Sequence, residues 1–147
     1  VQEEVGLRGA QASALEIQPD FSFGLDTTIA FDTPGSKPQE QCTRLGEGVA
    51  IKIMDSSVIC DQRMVEFMKA TADEKKIEWQ PEILRAGGTD TASLQRMTPG
   101  GSIAGAVSLP TRHIHQVIEM VNKKDVAQAI KLLAACLCGL DKHDWQF

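Results

Sequence analysis

Apolar positions along the chain fall into short alternating runs separated by segments with helical spacing. Phe21, Phe23 and Leu25 alternate with Ser22, Gly24 and Asp26, a period of two that predicts a strand with Asp26 near its end. Val49 to Met54 predicts a second strand. The segment IEWQPEIL reads as a third, where Pro81 cannot donate to a ladder and so belongs at an edge or a distortion. The small and branched residues of SIAGAVSLP suit a buried strand. Leu7, Ala10, Ala14 and Ile17 predict a first helix, and Val1 to Glu4 reads as the end of a strand before it. Met64, Phe67, Met68 and Thr71 share one face of a second helix that Asp61 can cap and that ends near Lys76. A short helical stretch runs from Thr91 to Arg96. In the last helix Val126, Ala129, Ile130, Leu133, Leu137 and Leu140 form one apolar stripe, opened by Asp125 and stopped at Gly139.

Strands alternating with amphipathic helices predict an α/β sandwich, in which ligands sit beyond the carboxyl ends of the strands. Glu4, Asp26, Gly87 to Asp90 and Pro110 to His115 all follow predicted strands. The length of 147 residues suits one domain, and 42% apolar with 24% charged residues is an ordinary soluble composition without an apolar run fit for a bilayer. A net charge of -5, with Lys and Arg dispersed, argues against a nucleic-acid partner. Cys42, Cys60, Cys136 and Cys138 show no disulfide framework and read as reduced thiols of a cytosolic protein. Cys136 and Cys138, two apart on a helix, should point to nearly opposite sides. The first residue is Val1 rather than Met, which is expected of a processed chain or a piece of a longer one.

Adjacent Glu3 and Glu4 would be unremarked on a solvated surface. Between a strand and a helix start they gain weight, since one carboxylate could hold a metal while its neighbour holds a proton. Asp26 leaves an apolar run and must be paired, metal-bound or exposed, with a turn-capping role equally open. His113 and His115, if on a strand, would present both rings on one face at a spacing zinc can use, although packing explains more such pairs. His143, in a polar tail, reads as solvated. The glycines of AGGTD permit close approach to a ligand and equally make a plain turn. A phosphate-binding loop, a G-x-S-x-G elbow and a local Cys–His signature are all missing.

The order VQEEVGLRGA, GLDTTIAFDTPG, LGEGVAIKIMDSS, GGTDTAS, SLPTRHIH resembles the carboxyl-terminal part of the tetrahedral, TET-type metalloaminopeptidases. That family includes bacterial glutamyl aminopeptidases and proteins once labelled cellulase M or endoglucanase. The resemblance implies a three-layer α/β sandwich of the zinc-peptidase type, with a mixed sheet flanked by helices and incomplete at its N-terminal side. Residues 1–147 would be the carboxyl-terminal portion of the catalytic domain, with the family's inserted β-rich domain upstream.

By the same resemblance the intact protein is a cytoplasmic, homo-oligomeric hydrolase that removes amino-terminal residues from peptides with two divalent ions, zinc, cobalt or manganese. Glu3 matches the general base, Glu4 and His115 ligands of one metal, and Asp26 a ligand of the other. His113 stands where the family usually has an aromatic residue and reads as packing or as support behind a metal ligand. Gly87, Gly88 and Asp90 match a loop that positions substrate. The family's remaining histidine ligand and bridging aspartate would lie upstream, so weak metal binding and little activity are expected of this chain alone. The alternative is a shortened, non-catalytic homologue acting as an interaction or oligomerisation module. Glycan hydrolysis would need two acids at a set separation, which adjacent Glu3 and Glu4 do not imply.

Overall fold

The computed structural model describes residues 1–146. Its sheet holds β1 (Phe21–Ile29), β2 (Val49–Met54), β3 (Trp79–Ile83), β4 (Ile103–Arg112) and β5 (Met120–Val121), with α1 (Arg8–Ile17), α2 (Gln62–Glu74), α3 (Asp90–Met97) and α4 (Lys123–Gly139) around it. The strand order is β1-β4-β2-β3, with β5 pairing off β4. β1 runs parallel to β4 and β2 parallel to β3, and the two pairs meet antiparallel where Ala50 to Lys52 face Ser108 to Ala106. The sheet is therefore mixed, and Pro81 sits in edge strand β3, where a missing N–H is tolerated.

Both faces are covered, and two glycines show how closely. Phe23 pairs with Gly105 and Gly24 with Ala106, so neighbouring rungs point to opposite faces. A Cβ at Gly105 would stand 2.5 Å from Met64 Cγ of α2, and one at Gly24 would stand 2.0 Å from Thr91 Oγ1 of α3. Thus α2 lies on one face, joined by α4, and α3 on the other, joined by α1. Ile51, Met64, Met68, Val107 and Leu132 are fully buried in the layer between sheet, α2 and α4, each contributing about 1.5–3 kcal/mol by leaving water.

Local chemistry explains the boundaries of α2. The Asp61 side chain accepts from the Arg63 N–H at 2.9 Å, which satisfies one orphan donor of the first turn. The predicted face of Met64, Phe67, Met68 and Thr71 is buried. In α4 the expected stripe is rotated: the helix buries Asp125, Ala129, Leu132 and Cys136, while Ile130 is 66% and Leu137 55% exposed. The cause is Asp125, whose carboxylate accepts from the Gly46 N–H at 2.7 Å and the Gly48 N–H at 3.0 Å. Those bonds to the loop before β2 turn the acid inward, and Asn122, not Asp125, caps the helix by accepting from the Lys124 N–H.

His143 is not simply solvated. Its ring centroid lies 4.9 Å from Phe67 and 4.6 Å from Trp145, and Trp145 also meets Phe21 at 4.6 Å. These rings fasten the segment after α4 across the end of the core. Cys136 is buried and Cys138 exposed, as their spacing predicts, and all four cysteines are free thiols. Among the described residues no helix is long and apolar enough to cross a membrane.

Candidate active site

On the face covered by α1 and α3, a cavity of about 550 Å³ is lined by Glu3, Glu4, Asp26, Gly87, Gly88 and His115, together with Lys52 and Glu119. Segments far apart in sequence supply these groups. Asp26 lies two residues beyond Gly24 on the same face of β1 and is the sixth residue of a nine-residue strand, not its end. Glu3 and Glu4 occupy a short 3-10 turn, Glu3–Val5, where a strand end was expected. Left-handed Gln2 and Gly6 flank that turn, with φ of 57° and 108°, and they break any extended run. Asp90 does not line the cavity; it opens α3, with Oδ1 buried and without a hydrogen-bond partner.

His113 and His115 are not on a strand either. Both follow β4 in a turn with left-handed backbones, φ 57° and 63°, closed by the Gln116 N–H donating to His113 O at 3.0 Å. Only His115 reaches the cavity, where its Nε2 lies 3.1 Å from Glu4 Oε1. Gly87 also has a left-handed backbone, φ 72°, at the cavity wall, and a Cβ on Gly88 would meet Ser57 Oγ at 3.0 Å.

Crowded carboxylates set the electrostatics. The Glu3 carboxyl is held above its ordinary value, first by burial and then by Asp26, Glu4 and Asp90, with His115 opposing. Burial also raises Asp26, although the Thr27 N–H, which donates to Oδ1 at 2.7 Å, and the charge of Lys52 pull it down. A carboxyl raised on folding is destabilising wherever it is ionised in the native state. That penalty is present in full above the raised native value and disappears below the unfolded value near ~3.9. With metal chelated, Asp26→Asn should therefore stabilise the chain at pH 7.5, by no more than about 1 kcal/mol given solvent screening, and confer no gain at pH 3.5. Urea midpoints at the two pH values check this, and an equal effect at both would contradict it.

Sequence reasoning missed the floor of the cavity. Lys52 is fully buried on β2, with Nζ 2.5 Å from Glu82 Oε1 and 3.4 Å from Asp55 Oδ2. Thr28 Oγ1 donates to the same Glu82 oxygen at 2.6 Å. Burial pulls the Lys52 pKa down, but Glu82 and Asp55 outweigh it and keep the ammonium charged above its ordinary value. The signal was available as a lone lysine inside VAIKIM, an apolar strand whose two faces are both covered.

Carboxylate oxygens and one imidazole are the donor types that zinc, cobalt and manganese accept. The 3.1 Å approach of Glu4 to His115 fits a site that gains from a cation. Among the described residues, however, no group of three or more His, Cys, Asp or Glu side chains is gathered closely enough to hold a metal. The donors fit as part of a site.

Comparison with known proteins places the chain in a family. The family model described as M42 glutamyl aminopeptidase matches residues 1–132. The chain is 35% identical over 141 residues to the glutamyl aminopeptidase of Lactococcus lactis, covering 96% of this chain and 38% of that protein. The solved structure of an aminopeptidase from the archaeon Desulfurococcus kamchatkensis superimposes with a TM-score of 0.89 at 40% identity, over 92% of this chain and 38% of the other. The Pyrococcus horikoshii TET1 peptidase, described as able to assemble into a tetrahedron or a large octahedral shell, gives 0.78 at 30% identity, over 92% and 38%. The chain spans between 38% and 41% of the length of the curated relatives it matches. It belongs to the M42 glutamyl aminopeptidase family.

Proposed function

We propose that the intact protein is a metal-dependent aminopeptidase that hydrolyses the amino-terminal residue from peptides, and that residues 1–147 are the carboxyl-terminal portion of its catalytic domain. The observation that carries this reading is the convergence of Glu3, Glu4, Asp26 and His115 on one cavity in a chain of this family. Glu4 and His115 would hold one divalent ion and Asp26 a second. When bound, such ions polarise the scissile carbonyl and lower the pKa of a water molecule. Glu3 would take the proton from that water at its carboxylate and return it to the departing amine. Gly87 and Gly88 leave the cavity wall without side chains, which lets substrate backbone approach, and we assign Asp90, at the start of α3, a place beside the substrate-positioning loop. A cytoplasmic setting suits four free thiols. Assembly into a closed shell is proposed from the TET1 relative.

Among the described residues no trio of ligands is gathered, and this chain alone is expected to bind zinc weakly and turn over little or no substrate. The deciding experiment expresses the uninterrupted reading frame around these residues with zinc or cobalt and follows a short peptide by mass spectrometry. Loss of single residues from a free amino terminus, but not from an acetylated one, is the expected result. Internal cleavage, or no cleavage of either peptide by a folded and metal-loaded protein, would overturn the reading.

A further inference from the structure

The His115 turn is held by a device that the proposed chemistry does not use. His115 is a non-glycine residue in the left-handed region, φ 63°, one residue after Ile114 and two after the left-handed His113. Such conformations cost energy for residues with a Cβ and persist where the surroundings over-determine them. Here the His115 backbone N–H donates to Glu119 Oε1 at 2.5 Å. Glu119 is in turn fixed by the chain that follows it, because Met120 pairs with Arg112 and Val121 with Thr111 in the β5–β4 ribbon. The ribbon anchors Glu119, its carboxylate grips the His115 amide, and the gripped backbone aims the imidazole at Glu4, 3.1 Å away. Glu119 itself stands in the wall of the same cavity.

We propose that Glu119 is a positioning residue for His115, acting through the His115 backbone amide and not as a ligand. The assignment of His115 to a metal rests on the function proposed above; the grip on its backbone does not. Partners of metal-binding side chains that fix their orientation commonly alter affinity by roughly 10–100-fold when removed. A glutamine at 119 keeps the acceptor oxygen, whereas alanine removes it.

The test compares the full chain with Glu119→Gln and Glu119→Ala by NMR, reading the His115 amide exchange rate and the contact of its ring with Glu4. Each protein is then titrated with zinc alone while the His115 ring resonances are followed. In Glu119→Ala the His115 amide should exchange at least about tenfold faster, the contact with Glu4 should weaken, and zinc affinity at His115 should fall roughly 10–100-fold. Glu119→Gln should stay near the parent on all three measures. Since Glu119 is exposed, urea midpoints of all three proteins should agree. Unchanged exchange and ring contact in Glu119→Ala would overturn the proposal, and so would a glutamine variant that behaves like alanine, since charge and not the acceptor would then matter. Zinc that leaves His115 unperturbed in the parent would match the weak binding expected of a partial site, and amide exchange and ring contact then decide the role of Glu119.

Discussion

Lys52→Met should destabilise the chain by about 3–5 kcal/mol, the range found when one member of a buried ion pair is removed, with a matching fall in urea midpoint. Methionine fills much of the same space, so the loss is electrostatic and not a cavity. The two carboxylates left behind are not equivalent. Asp55 Oδ1 accepts from the Ser57 N–H at 2.8 Å, Ser57 Oγ at 2.7 Å and the Val58 N–H at 3.0 Å, and Oδ2 accepts from Thr89 Oγ1 at 3.2 Å. Glu82 keeps only the Thr28 hydroxyl at 2.6 Å, and its Oε2 is already buried without a partner. The cost should therefore concentrate at Glu82. Adding Glu82→Gln to Lys52→Met should recover a large part of the lost stability, whereas adding Asp55→Asn should recover little. Equal recovery by the two would contradict this account.

That buried network also shows what sequence reasoning could reach. Elements governed by local rules were legible: β2 spans Val49–Met54, and α2 begins after the Asp61 cap. Elements governed by distant partners were not. In α4 the periodicity allows two faces, and the choice between them depends on Asp125 finding two loop N–H groups from Gly46 and Gly48, a contact between residues far apart in the chain. The rule that apolar spacing marks the buried face placed Ile130 and Leu137 inward, where both are exposed, while Ala129 is buried as expected. The rule that charge faces solvent hides Lys52, whose partners lie on β3 and in the turn after β2.

The candidate site divides along the same line. Its residue identities came from the order of motifs, and the cavity contains Glu3, Glu4, Asp26, Gly87, Gly88 and His115. Its backbone did not follow from pattern. A period of two suggested that His113 and His115 share a strand face, but both adopt left-handed conformations that local sequence without glycine rarely announces. The functional consequence is that a single imidazole, not a pair, meets Glu4. This asymmetry assigns His113 no place in the cavity and makes the turn geometry around His115 a determinant of the site.

Glu3→Gln in the intact enzyme should lower kcat by about 10²–10⁴, with KM changed only a few-fold. Glutamine keeps the size of the side chain but cannot accept the proton, so substrate binding survives while the chemical step fails. The position of Glu3 supports that division of labour. In the metal-free chain burial and the neighbouring charges of Asp26, Glu4 and Asp90 raise its pKa; cations held by Asp26 and Glu4 would offset those charges, and the parent's kcat should fall, as pH drops, through the value at which Glu3 takes up a proton. Below that value Glu3 carries a proton and cannot take another; above it the base is ready. Glu4→Gln should differ in kind, because it weakens the hold on a cation beside His115, and raising zinc or cobalt concentration should restore part of its activity. No metal concentration should restore Glu3→Gln. If instead added metal rescues the Glu3 variant and not the Glu4 variant, the two roles are exchanged. If Glu3→Gln retains the parent's kcat, Glu3 is not the base.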